Sequence, residues 1–139
     1  NNQTNYSSPK QVGSGTDWTK HIAMDSKSSF AIKTDGTLYS WGDNGDGILG
    51  HNSPGPSHIS SPIQIPGTTW STISSTYNIA AATKTDGTLW TWGAGGSGRL
   101  AQNDTTSYSS PKQVGADTDF TDAIALPSGL ALMVTDSTP

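Results

Sequence analysis

The sequence predicts an all-β chain: β-propeller-type blades of four short antiparallel strands, arranged as a partial propeller or arc. Three observations predict it. A unit of roughly 50 residues recurs along the 139-residue chain. An Asp-Gly pair joins two apolar runs at Asp35-Gly36 and again at Asp86-Gly87, which is a strong hairpin signal. Apolar residues at the helical period of about 3.6 are absent throughout.

The elements follow in chain order. Residues 1–6 resemble the loop 102–108 and read as the end of a preceding blade. Residues 7–59 form repeat 1, 60–108 repeat 2 and 109–139 an incomplete repeat 3, all in one array. Ser7-Ser8-Pro9-Lys10-Gln11-Val12-Gly13 returns as Ser109-Ser110-Pro111-Lys112-Gln113-Val114-Gly115, with Ser60-Ser61-Pro62-Ile63-Gln64-Ile65-Pro66 between them. A short strand is expected near Gln11-Val12 and Gln64-Ile65, its proline suiting a strand start. Trp18, Trp70 and Phe120 share the next position, and a strand through Ile22 and Ala23 follows. Phe30 to Lys33 and Thr37 to Trp41 form a hairpin about Asp35-Gly36, where both turn positions tolerate positive φ. Ile79 to Lys84 and Thr88 to Trp92 repeat it, a shift of 51 residues (33 to 84). The glycine-rich stretches Gly42 to Gly50 and Gly93 to Gly98 are too poor in apolar residues for strands and read as exposed loops. The third unit reaches Thr135-Asp136, where its hairpin is due, without a Trp-Gly strand.

Composition agrees. Apolar residues make up 31% and charged residues 13%, about half the usual charged share. The difference is made up by 20 Ser, 19 Thr and 16 Gly, which suits short strands and many turns. Net charge is −4 with no basic run, so the positive stripe that nucleic acid requires is missing. No apolar stretch approaches the roughly 18 residues of a membrane span. The chain has no cysteine, which excludes disulfides and thiolate metal sites. It opens at Asn1 without Met or a signal pattern and reads as a processed product or a piece of something longer.

Chemistry-bearing residues are few. His21, His51 and His58 lack a third ligand or a partner base at a recognised spacing. His51 and His58 share one loop with Pro54 and Pro56. Asp43-Asn44-Gly45-Asp46-Gly47 invites a calcium reading, but Gly45 holds the third position and the chain has no Glu. These residues read as turn formers. Ser7-x-x-Lys10 and Ser109-x-x-Lys112 lack the companion motifs of a serine hydrolase. Gly93 to Gly98 lacks the βαβ context of a phosphate cradle. Asn2-Gln3-Thr4, Asn5-Tyr6-Ser7 and Asn103-Asp104-Thr105 fit the glycosylation pattern and mark surface loops. No catalytic, cofactor or metal residue is expected. The recurring aromatics Trp18/Trp70/Phe120, Tyr39/Trp90 and Trp41/Trp92 are expected to pack between blades, and Tyr6, Tyr77 and Tyr108 to make exposed contacts.

Trp41-Gly42-Asp43-Asn44-Gly45-Asp46-Gly47-Ile48-Leu49-Gly50, following the Asp-Gly hairpin, matches the Trp-Gly-x-Asn-x-x-Gly-x-Leu-Gly pattern of one family. The chain resembles the regulator-of-chromosome-condensation repeat family. The second copy, Trp92 to Ala101, keeps the Gly and Leu frame but lacks the Asn and the last Gly. The Gly and His that the family often places between its second and third strands are replaced by Met24-Asp25-Ser26, Ser74-Ser75-Thr76 and Ala125-Leu126-Pro127. The resemblance implies a seven-bladed propeller that binds macromolecules through loops on its faces. Here those loops run Gly42 to Ile59 and Gly93 to Tyr108, and their candidate contacts are Asp43, Asn44, Asp46, His51, His58, Arg99, Gln102, Asn103, Asp104 and Tyr108.

A blade cannot bury both faces alone. The two flanks are expected to be covered by more of a longer chain, by further copies, or by another chain. The function expected is a non-catalytic protein-interaction or structural module of a surface, extracellular or virion assembly. Its partners would be neighbouring repeats and a protein, without nucleic acid or cofactor. Two alternatives stand beside it: a secreted inhibitor-like propeller that binds an enzyme, and the GTPase-exchange or chromatin role that the resemblance implies.

Overall fold

The computed structural model describes residues 4–52, 57–126 and, for the backbone, 131–135. Asn2, Pro54, Pro56 and Asp136 lie outside the described residues. Strands β1 (Trp18–Met24), β2 (Ser28–Lys33), β3 (Leu38–Asp43) and β4 (His58–Gln64) form one antiparallel sheet in that order. Strands β5 (Trp70–Thr76), β6 (Ile79–Lys84), β7 (Leu89–Gly93) and β8 (Tyr108–Gln113) form a second. Strands β9 (Phe120–Ala125) and β10 (Ala131–Thr135) begin a third. Each four-stranded meander is one blade, as the repeat predicts.

The hairpin departs from expectation in one detail. Gly36 and Gly87 take positive φ (+79° and +80°), but Asp35 and Asp86 do not. The Lys33 N–H donates to the Thr37 carbonyl at 2.9 Å and the Gly36 N–H to the Lys33 carbonyl at 3.0 Å, so the loop has three residues. Such a loop combines an ordinary turn with one left-handed glycine. The aspartate explains the choice. Asp35 Oδ1 accepts from the Thr37 N–H at 3.0 Å and Thr37 Oγ1 at 2.6 Å. Asp86 does the same with Thr88 at 3.0 and 2.7 Å.

The Ser-Ser-Pro landmark also moves. Residues 60–62 and 109–111 lie within β4 and β8, the outermost strands of their sheets. Ser40 pairs with Ile63 and Gly42 with Ile59, so three residues of β4 oppose Trp41 alone. Thr91/Lys112 and Gly93/Tyr108 repeat the bulge opposite Trp92. An outer, bulged strand tolerates a proline without N–H and blunts an exposed edge. The strand expected near Gln11-Val12 is not formed. Among the described residues, no third-strand partner lies beside it.

The blades pack face to face. Phe30, Ile32, Leu38, Ile48, Leu49 and Ile65 of blade 1 meet Trp70, Ile73, Ala80, Ala82 and Trp92 of blade 2. Blade 2 turns Ile79, Ala81, Leu89 and Leu100 towards Ala123 and Ala125 of β9. Each buried Ile or Leu contributes about 1.5–3 kcal/mol. The glycine-rich stretches are therefore more than exposed loops: Ile48 and Leu49 are 0% exposed and Leu100 is 1%. Gly42 and Gly93 make this possible. They take φ of +111° and +101°, and a Cβ there would strike the Lys27 and Asn78 carbonyl oxygens. The loop can then curl back and push its Ile-Leu pair into the seam.

Candidate functional site

Two loop clusters carry most of the expected contact residues. In blade 1, Asp43 ends β3 and its Oδ1 accepts the Gly45 N–H at 2.7 Å. Its Oδ2 lies 3.8 Å from His58 Nδ1 and 3.9 Å from Lys27 Nζ. Asn44 Oδ1 accepts the Leu49 N–H at 3.2 Å and its N–H reaches the Ser57 carbonyl at 2.8 Å. Asp46 turns away and accepts from Asn78 Nδ2 of blade 2 at 3.1 Å. The two carboxylates of the Asp43-to-Gly47 run thus serve different partners. Among the described residues no group of three or more His, Asp or Glu side chains is placed to hold a metal ion.

In blade 2, Asp104 Oδ2 accepts from the Tyr108 hydroxyl at 2.6 Å and Oδ1 from the Thr106 N–H at 3.0 Å. Lys112 Nζ donates to the same hydroxyl at 2.6 Å. The Tyr108 and Thr106 hydrogen bonds, with Lys112 nearby, hold the Asp104 carboxyl below its ordinary value. Tyr108 is partly buried and packs on the seam, whereas Tyr6 and Tyr77 are 53% and 68% exposed. Arg99 Nε folds back onto the Gly96 carbonyl at 2.7 Å. Asn103 is exposed with φ of +59°, and Asn5 is exposed too.

His51 and Gln102 hold the same place in their loops, 51 residues apart. Ser40 Oγ lies 2.8 Å from His51 Nε2 and donates to the Leu49 carbonyl at 2.7 Å. A hydroxyl has one proton, so Nε2 carries its own proton and donates to Ser40. A base must accept from its nucleophile; this pair runs the other way and does not activate the serine.

The flank expected to need a cover is one face of blade 1, whose residues the sequence did not name. The register places Met24, Ser29 and Trp41 in one row, and Ile22, Ala31 and Tyr39 in the next. Ile22 is 57% exposed and Met24 68%, while the position of Ile22 falls to 8% at Ile73 and 2% at Ala123. Trp18 packs on Tyr39 and Trp41 at ring distances of 5.4 and 6.5 Å. Lys33 Nζ lies 5.1 Å from the Trp18 and Tyr39 ring centres. Trp70, Trp90, Trp92 and Lys84 build the same stack in blade 2. Matching repeat positions could have revealed this face, because an equivalent of Ile73 needs an equivalent neighbour.

Comparison with known proteins agrees with this geometry. The regulator of chromosome condensation (RCC1) repeat model matches residues 35–82 and 86–125, and a second model of that repeat matches 20–48. E3 ubiquitin-protein ligase HERC2 of Homo sapiens and of Mus musculus is 33% identical over 100 residues, 70% of this chain. The chain spans 2% of the length of either. The structure of Prp20p from Saccharomyces cerevisiae, studied with its binding to Gsp1p and histones, superposes with a TM-score of 0.71 at 16% identity. It covers 84% of this chain and 31% of its own. Human WBSCR16 gives 0.66 at 22%, over 76% and 28%. These last two likenesses concern the fold.

Proposed function

This chain belongs to the regulator of chromosome condensation (RCC1) repeat family, and from that premise we propose that it is a non-catalytic protein-interaction module whose open blade-1 face is covered by further repeats. One observation carries this reading: the decline in exposure from Ile22 through Ile73 to Ala123. The second and third positions are covered by the preceding blade, so the first calls for an equivalent cover. The repeated Ser-Ser-Pro-Lys-Gln at residues 7–11 supports it, because in blade 2 the equivalent residues 109–113 lie in the outer strand. The loop residues Asp43, His58, Asn103 and Asp104 then remain at the rim for a protein partner. The Ser/Thr/Gly-rich composition supports a surface, extracellular or virion setting.

The test uses the absence of cysteine. Ile22→Cys in the natural protein places one thiol on the open face. Slow labelling under native conditions and fast labelling in denaturant is the expected result. Labelling at the denatured rate in the native protein would refute the cover. Native and denatured masses from the same preparation then separate a longer chain from an assembly of copies. A second reading, nucleotide exchange on a small GTPase, draws on the fold shared with Prp20p. Acceleration of nucleotide release by the protein would establish it.

A further inference from the structure

Blade 2 receives the loop of blade 1 in a defined seat. Trp92 Nε1 donates to the Ile48 carbonyl at 2.7 Å, and the Asn52 N–H to the Ser109 carbonyl at 2.7 Å. Asn78 Nδ2 donates to Asp46 Oδ2 at 3.1 Å. Gly47 lies so close that a Cβ on it would come 2.6 Å from Ser109 Cα, so a side chain there would clash with backbone. Ile48 and Leu49, the next two residues, are wholly buried. The seat therefore reads an acidic residue, a glycine and two aliphatic residues in a row. The same seat recurs, open, in blade 1. The Asp43 N–H donates to the Lys27 carbonyl as the Ala94 N–H does to that of Asn78. Gly42 pairs with Ile59 as Gly93 does with Tyr108. Lys27 thus stands in the place of Asn78, Trp41 in that of Trp92 and Ser60 in that of Ser109. With Asp43, His58 and Ile59 they line an open cleft of about 580 Å³.

Resting on the covered-face reading above, we propose that this cleft receives a loop of a preceding repeat that runs Asp or Glu, then Gly, then two aliphatic residues. Its carboxylate meets Lys27 where Asp46 meets Asn78. The change from amide to ammonium carries the charge argument. An amide both donates and accepts, whereas an ammonium only donates and needs acceptors around it. Lys27 Nζ lies 3.9 Å from Asp43 Oδ2, but its side chain is 70% exposed. Asp43 is shared besides with His58 and the Gly45 N–H. Lys27 is therefore free to turn towards a second carboxylate. Ser60 requires the glycine as Ser109 does, and Trp41 Nε1 donates to the carbonyl of the residue after it. Copies of this chain fit the seat less well. Their first such loop, Asp46 to Leu49, is already seated on blade 2. Their second has Ser97, Gly98, Arg99 and Leu100 at the same places, with no acidic residue.

The experiment is zero-length carbodiimide coupling of the natural protein carrying Asp43→Asn, which removes the carboxylate already beside Lys27. Mass spectrometry then sequences the peptides joined to Lys27. The expected partner is an Asp or Glu followed directly by Gly, in a repeat outside blades 1 and 2. A link to an acidic residue without that glycine overturns the proposal, as does the absence of any Lys27 link. A link to Asp46 also overturns it, because it would mark a second copy in the seat. The Ile22→Cys labelling keeps the two readings apart. Slow labelling without the expected link leaves the cover standing and removes this loop, whereas fast labelling removes the cover itself. Lys27→Glu in the Ile22→Cys background gives an independent check. Like charges should quicken labelling at position 22 about tenfold at low salt, and less at high salt. An unchanged rate would count against the acidic loop.

Discussion

Trp41 and Trp92 occupy the same register position in successive blades and meet different surroundings. Trp92 is 0% exposed, donates to the Ile48 carbonyl and lies over Gly50. Trp41 is only partly buried, beside Ile22 and Met24 on the open face. The residue, the strand and the following glycine are the same; the neighbour differs. Burial in this array is supplied by the preceding blade rather than by the unit itself, which is the energetic pattern of a repeat protein.

The largest break in that comparison should come from Trp92→Ala. Removing a fully buried indole and leaving a cavity costs about 3–5 kcal/mol. Trp41→Ala should cost about 1 kcal/mol, nearer a partly exposed position. Denaturant melts of the two variants measure the difference, and equal losses would mean that Trp41 is already covered. The glycine under the indole gives the next effect. A Cβ at Gly50 would come 2.9 Å from Trp92 Nε1, at a φ of +73°. Gly50→Ala should therefore destabilise by about 1–3 kcal/mol. Its counterpart in blade 2 is Ala101, already at φ +55°. Ala101→Gly should stabilise by about 0.5 kcal/mol, because it removes left-handed strain. A gain from Gly50→Ala would break the proposed fit between loop and indole.

Much of this was legible beforehand. The period, the aromatic positions and the strands from Ile22 to Trp41 follow from residue spacing, because alternation and turn residues act locally. The roles of Ser60-Ser61-Pro62 and Ile48-Leu49 did not. A bulge is defined by the strand opposite, and Ile48 is buried only because Trp92 lies 44 residues away in the chain. The hairpin was legible in kind but not in length, since Asp35 bonding to Thr37 decides which turn forms. Of the expected contact residues, Asp43 and His58 come together, as do Asp104 and Tyr108. His51 instead reaches Ser40, and Gln102 reaches Thr91. The open flank was expected from the repeat count, but not that Ile22 and Met24 stand on it, because they look like ordinary core residues until their neighbours are placed.

The smallest expected effect concerns what the two blades share. Asp35 and Asp86 are each held below the ordinary carboxylate value, first by the hydroxyl and then by the N–H of the threonine two residues on. A lowered folded value means stability that is present above the unfolded value of about 3.9 and is lost as pH falls through the folded one. Both hairpins have the same contacts, so exchange at the Thr37 and Thr88 N–H groups should quicken together at the acid end. Asp35→Asn and Asp86→Asn should each remove the effect from their own hairpin alone. If the Thr37 hairpin opened well above the pH at which the Thr88 hairpin does, the open flank of blade 1 would be weakening its inner turns as well. Blade coverage would then reach further into the unit than the packing at Trp92 implies.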